Sequence, residues 1–110
     1  MTKEKMMKLL KAYNDFTAYE YGNDALTLSQ LLSDNGVVPV AFTTDETESH
    51  ELQVSYDLYN ECYLEYIDGE LIFKDDIPLD GFIKDLRNAS FDDFVRDIMY
   101  ECAERYRRKA

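Results

Sequence analysis

Apolar residues recur at helical spacing over the first twenty positions, alternate with polar ones through the middle, and return to helical spacing after Pro78. Met6, Leu9, Leu10, Tyr13 and Phe16 form one stripe of period 3.6, predicting a first helix capped by Thr2 and stopped at Gly22. Thr27 and Gln30 make a Thr-x-x-Gln capping box for a shorter helix through Leu28, Leu31 and Leu32, ending at Asn35-Gly36. From Val37 the period becomes two. Val37 to Thr43 reads as a strand that Pro39 confines to an edge or a bulge, and Thr44 to Ser49 as a polar loop. Leu52, Val54, Tyr56 and Leu58 then alternate with Glu51, Gln53, Ser55 and Asp57, the pattern of a half-buried strand.

The next turn sets the register. A three-residue loop, Tyr59-Asn60-Glu61, places Leu58 opposite Cys62, Tyr56 opposite Leu64 and Val54 opposite Tyr66. A two-residue loop sets Tyr56 against Glu65 and splits the apolar face, so the pattern predicts the odd loop. Asp68-Gly69 predicts a type I′ hairpin turn pairing Tyr66 with Leu71 and Leu64 with Phe73. The expected core face is then Leu52, Val54, Tyr56, Leu58, Cys62, Leu64, Tyr66, Leu71 and Phe73. Pro78 opens a third helix bearing Leu79, Phe82, Ile83 and Leu86. Ser90 and Asp93 form a second capping box before the stripe Phe91, Phe94, Val95, Ile98, Met99, Cys102 and Tyr106. Arg105, Arg107, Arg108 and Lys109 fall where the helix dipole favours cations. The sequence predicts an α+β fold: a four-stranded antiparallel meander with two helices before and two after, all packing on one sheet face.

Composition turns this outline into one folded domain spanning residues 1–110. Hydrophobic residues are 45% of the chain and aromatics 14%, far above a disordered acidic tail. Cys62 and Cys102 stand alone, beside Leu64 and Met99, and read as packed free thiols of a reducing compartment. Lys8 and Lys11 interrupt the apolar run a leader would need, and no segment is long enough to span a bilayer. A cytoplasmic protein is expected.

Charge changes the picture most. Eighteen of the twenty-three carboxylates lie between Glu20 and Asp93, opposed only by Lys74, Lys84 and Arg87, so this stretch carries −15, which the basic ends reduce to a net −11. Such a chain repels nucleic acid and anionic membrane, and a basic protein surface is its expected partner. Catalytic chemistry finds little support. His50, between Glu48 and Glu51, has no recognisable nucleophile and reads as an exposed strand-edge residue. Asp45-Glu46, Asp75-Asp76 and Asp92-Asp93 are carboxylate pairs without the surroundings a glycosidase requires, and Asp92 and Asp93 suit a helix N-terminus. One histidine and two isolated cysteines make no zinc set, Asp75-Asp76 and Asp80-Gly81 no EF-hand, and the scattered glycines no phosphate loop. Val37-Val38-Pro39-Val40 rules out a recognition helix after residue 36. No enzyme activity, metal or cofactor is expected.

The predicted register turns Glu51, Asp57, Glu65 and Glu70 outward, with Tyr59, Tyr63, Ile67 and Ile72 among them. Tyrosines interleaved with charges suit a binding face. Asp45, Glu46 and Glu48 on the adjoining loop and Glu61 in the turn extend it, so the expected partner-binding set is Asp45, Glu46, Glu48, Glu51, Asp57, Tyr59, Glu61, Tyr63, Glu65, Ile67 and Glu70. Carboxylate rows on a rigid sheet present a nucleic-acid-binding groove with something like a phosphate backbone. In charge and architecture the chain resembles anti-CRISPR and antirestriction proteins, including some Cas9 inhibitors, which are short, acidic single domains. That resemblance implies an inhibitor of a nucleic-acid-binding protein or nuclease acting by DNA mimicry, and it carries over no individual residue. The same physics serves an immunity protein or antitoxin facing a basic toxin, or a non-catalytic regulatory module. Oligomeric state is left open by the sequence.

Overall fold

The structure is a computed structural model that describes residues 2–22, 25–32, 36–45 and 47–109, with side chains described as far as residue 104. Helix α1 (Lys3–Tyr21) starts where the Thr2 side chain accepts the Lys5 amide and ends at Gly22, whose φ of 66° and amide bond to the Ala18 carbonyl close the last turn. The capping box of Thr27 and Gln30 opens the single-turn α2 (Leu28–Leu31). Asn35, the expected end of that segment, lies outside the described residues. Strands β1 (Val37–Thr44), β2 (Glu51–Asp57), β3 (Cys62–Ile67) and β4 (Glu70–Asp76) form one antiparallel sheet in chain order. Helices α3 (Leu79–Asn88) and α4 (Phe91–Lys109) follow, α4 opening with the Ser90–Asp93 box. The expected α+β meander, with two helices before it and two after, is the observed fold.

Pro39 sits in an edge strand beside a register shift between Pro39 and Ala41, so β1 is both an edge and bulged. Two tyrosines of α1 donate to carbonyls of this bulge: Tyr13 to Pro39 at 2.6 Å and Tyr21 to Val40 at 2.8 Å. Burial pushes both phenols up to about 12. All four helices join Val38, Val40, Ala41, Leu52, Val54, Tyr56 and Ile67 in one core cluster. Cys62 and Cys102 are buried free thiols, as expected.

The β2–β3 register departs from expectation by one residue. Asp57 pairs with Cys62, Tyr56 with Tyr63, Val54 with Glu65 and Leu52 with Ile67, leaving a four-residue turn of Leu58 to Glu61. Asp57 causes it. Its carboxylate accepts the amides of Tyr59 and Asn60 and the Asn60 side chain, at 3.0, 3.0 and 2.7 Å, and so starts a local turn one residue early. Leu58 then leaves the strand and buries in the core, its amide bonded to the Gly36 carbonyl.

Because side chains alternate with period two, the shift exchanges the two faces of β3. Tyr63, Glu65 and Ile67 join Leu52, Val54 and Tyr56 on the helix side. Cys62, Leu64 and Tyr66 go to the opposite face with Gln53, Ser55 and Asp57, and neither Cys62 nor Leu64 belongs to the main core cluster. The Asp68-Gly69 turn is as expected, with φ of 52° and 81° and Ile67 paired to Glu70. Tyr66 pairs with Leu71 as predicted, but a shift between Glu65 and Tyr66 sets Phe73 against Glu65 instead of Leu64. Leu71 and Phe73 are about half exposed, at 48% and 44%, rather than core.

An acidic cleft as the candidate functional site

Several residues of the expected binding set have structural work or lie at opposite ends of the meander. Asp57 is buried and caps its turn. Partial burial opposes its ionisation, but the hydrogen bonds from Asn60 and Tyr59 win and hold the carboxyl below the usual range. Glu61 accepts the Leu79 amide at 2.7 Å, supplying α3 with the cap that Pro78 lacks. Tyr59 is exposed, its ring over Gly36.

At the far end of β2, Asp45 accepts the amides of Ser49 and His50 and the Thr47 hydroxyl. Those bonds outweigh desolvation and lower its pKa. Glu48, Glu51 and Glu70 are exposed near the same end, and Glu46 lies outside the described residues. His50 is not a bare edge residue: its Nδ1 lies 2.7 Å from Asp68 Oδ2, tying the β1–β2 loop to the β3–β4 turn. Among the described residues, the carboxylates form no continuous outward row. Ile67 is 2% exposed and in the core, and Tyr63 and Glu65 face the helices.

What the register does assemble is a cleft of about 500 Å³ between β3–β4 and the last two helices. Its floor is Tyr63, Glu65, Phe73 and Asp75, and its walls bring Asp85 from α3 with Asp93, Phe94, Asp97, Tyr100 and Glu101 from α4. Asp93, Asp97, Tyr100 and Glu101 lie at i, i+4, i+7 and i+8, so one flank of α4 faces the cleft while Ile98 and Cys102 face the core. Six carboxylates therefore line the space, with no lysine or arginine lining it among the described residues. Arg96 reaches Asp93 at 2.8 Å, but only from outside the lining.

Tyr63 anchors the floor. Its ring meets Tyr56, Phe82 and Phe94 at centroid distances of 5.1, 5.6 and 6.1 Å, and its hydroxyl donates to Asp85 at 2.7 Å. Burial, followed by that contact with Asp85, raises its pKa well above the usual phenol. Tyr56 stacks on Phe82 at 3.9 Å and donates to the Ile77 carbonyl, locking α3 over the sheet.

Glu65 is the unusual member. It is 6% exposed, and among the described residues no hydrogen bond or ion pair reaches its carboxylate. No fully enclosed side-chain polar atom among the described residues lacks a partner, so its carboxylate opens into the cleft, not into packed core. Desolvation, and then the charges of Asp97, Glu101 and Asp75, push it up to about 7. A carboxyl poised near neutrality in a cleft marks a functional candidate. The signal for α4 was present in the sequence as acids at helical spacing; Asp75 and Asp85 join only through the fold.

Among the described residues, no group of three or more His, Cys, Asp or Glu side chains is arranged to hold a metal ion, and no helix is long and apolar enough to cross a membrane. Comparison with protein-family models, curated proteins and solved structures found no match to this chain.

Proposed function

We propose that this chain is a small acidic inhibitor that occupies a basic surface through which another protein holds nucleic acid. The observation that carries this reading is the convergence of carboxylates from β3, β4, α3 and α4 on one cleft with no lining cation among the described residues. Mutual repulsion there disfavours the empty state, and a cationic surface relieves it. The exposed aromatics Tyr100 and Phe73 at the same site, 63% and 44% exposed, are the residue types that anchor interfaces. The binding side is the cleft formed by β4, α3 and α4, not the outer face of the meander, whose central positions are Ser55, Leu64 and Tyr66.

The test is affinity capture with the wild type and with the Asp97→Lys/Glu101→Lys variant, both sites being at the surface of α4. The reading expects a basic protein retained by the wild type alone and displaced by duplex DNA or RNA. Retention indifferent to both the substitutions and nucleic acid would sink it.

A further inference from the structure

Resting on that reading, we propose that the cleft is a socket for one arginine side chain of the partner, its guanidinium paired with Glu65 between the rings of Tyr63, Phe73 and Tyr100. Two independent observations meet here. Among the described residues, the cleft is lined by carboxylates and aromatic rings without a cation, and its floor holds a side chain more than nine-tenths buried that has no partner. Burying a carboxylate unpaired is unfavourable, and an incoming cation removes that penalty at the moment of binding.

Guanidinium fits better than the alternatives. Its planar fork matches a carboxylate in two parallel hydrogen bonds, it is weakly hydrated, and its face stacks on aromatic rings. A lysine ammonium is compact and strongly hydrated, so a floor desolvated to this degree favours it less. A metal ion would require several carboxylates at once, and no such group is arranged among the described residues.

Charge on the cleft also sets the pH response. Burial first, and then the charges of Asp97 and Glu101 from α4 and Asp75 from β4 that face it, hold Glu65 protonated up to about pH 7. Asp85 from α3 is engaged by the Tyr63 hydroxyl, and Asp93 by Ser90 and Arg96. A guanidinium pairs with the ionised form, so binding below neutrality releases the Glu65 proton to solvent. Affinity therefore falls by roughly tenfold or more from pH 8 to pH 5.5.

The experiment titrates the intact chain with blocked tripeptides Gly-Arg-Gly, Gly-Lys-Gly and Gly-citrulline-Gly, and with hexalysine, at matched ionic strength, using amide chemical shifts and calorimetry. The wild type and Glu65→Gln, a variant that removes an unfavourable buried charge and should fold well, are compared at pH 5.5 and 8. Expected are at least tenfold preference for the arginine peptide over both analogues, loss of that preference in Glu65→Gln, and a pH dependence confined to the wild type. If hexalysine binds both proteins with strong salt dependence while the arginine peptide shows no preference, the socket is overturned and the acidic-inhibitor reading stands. If neither peptide binds, both fall.

Discussion

The buried charge of Glu65 makes a sharp demand on stability. With its folded pKa at about 7 and an ordinary glutamate near about 4.3, the unfolded chain ionises first. A raised acid contributes its stability fully below the unfolded pKa and loses it as pH rises through the folded pKa, so the penalty develops between about pH 4.5 and 7. At 1.36 kcal/mol per pH unit, that interval corresponds to at most about 3.5 kcal/mol. Water in the open cleft reduces this to roughly 1–3 kcal/mol. Glu65→Gln keeps the shape and removes the charge. At pH 8 the variant should therefore be more stable than the wild type by roughly 1–3 kcal/mol, a rise in Tm of about 4–13 °C for a chain of this size. At pH 4 the two should agree within about 0.5 kcal/mol. Paired urea titrations across this range, followed by far-UV circular dichroism, read the difference directly. A gain that is the same at both ends of the pH range, or a loss at pH 8, would refute the placement of Glu65 as a buried, unpaired acid.

Asp57→Ala should cost about 2 kcal/mol in urea unfolding, because three hydrogen bonds to a charged acceptor are lost together; an exposed Asp57 would give almost no change. Gly36→Ala should destabilise by about 1–2 kcal/mol, since φ is 75° and a Cβ there would sit 2.5 Å from the Tyr59 ring. Adding Tyr59→Ala should recover part of that loss in thermal melts, leaving only the backbone contribution. Ser90→Ala should lower stability by about 1 kcal/mol through the lost cap on α4, while capture of the partner through Asp97 and Glu101 is unaffected.

Local chemistry was enough to determine the elements. Thr2, the Thr27–Gln30 and Ser90–Asp93 boxes, Gly22 and Asp68-Gly69 act within one turn of the backbone, so each is read from neighbours in sequence and each is in place. The alternation from Leu52 to Tyr56 likewise fixes which side of β2 is buried. The face of β3 was not available in the same way, because apolar residues occupy both parities: Cys62, Leu64 and Tyr66 on one, Tyr63 and Ile67 on the other. Parity there follows from where the β2–β3 turn starts, and the hydrogen bonds of Asp57 and the inward turn of Leu58 start it one residue before the apolar pattern does. That single residue carries Glu65 from solvent to the floor of a cleft whose walls come from segments up to thirty-six residues away in sequence. Net charge is a sum over the chain and reveals the sign of a partner; the position of a carboxylate relative to water, helices and other carboxylates is a property of packing, and packing alone made Glu65 different from the other acids.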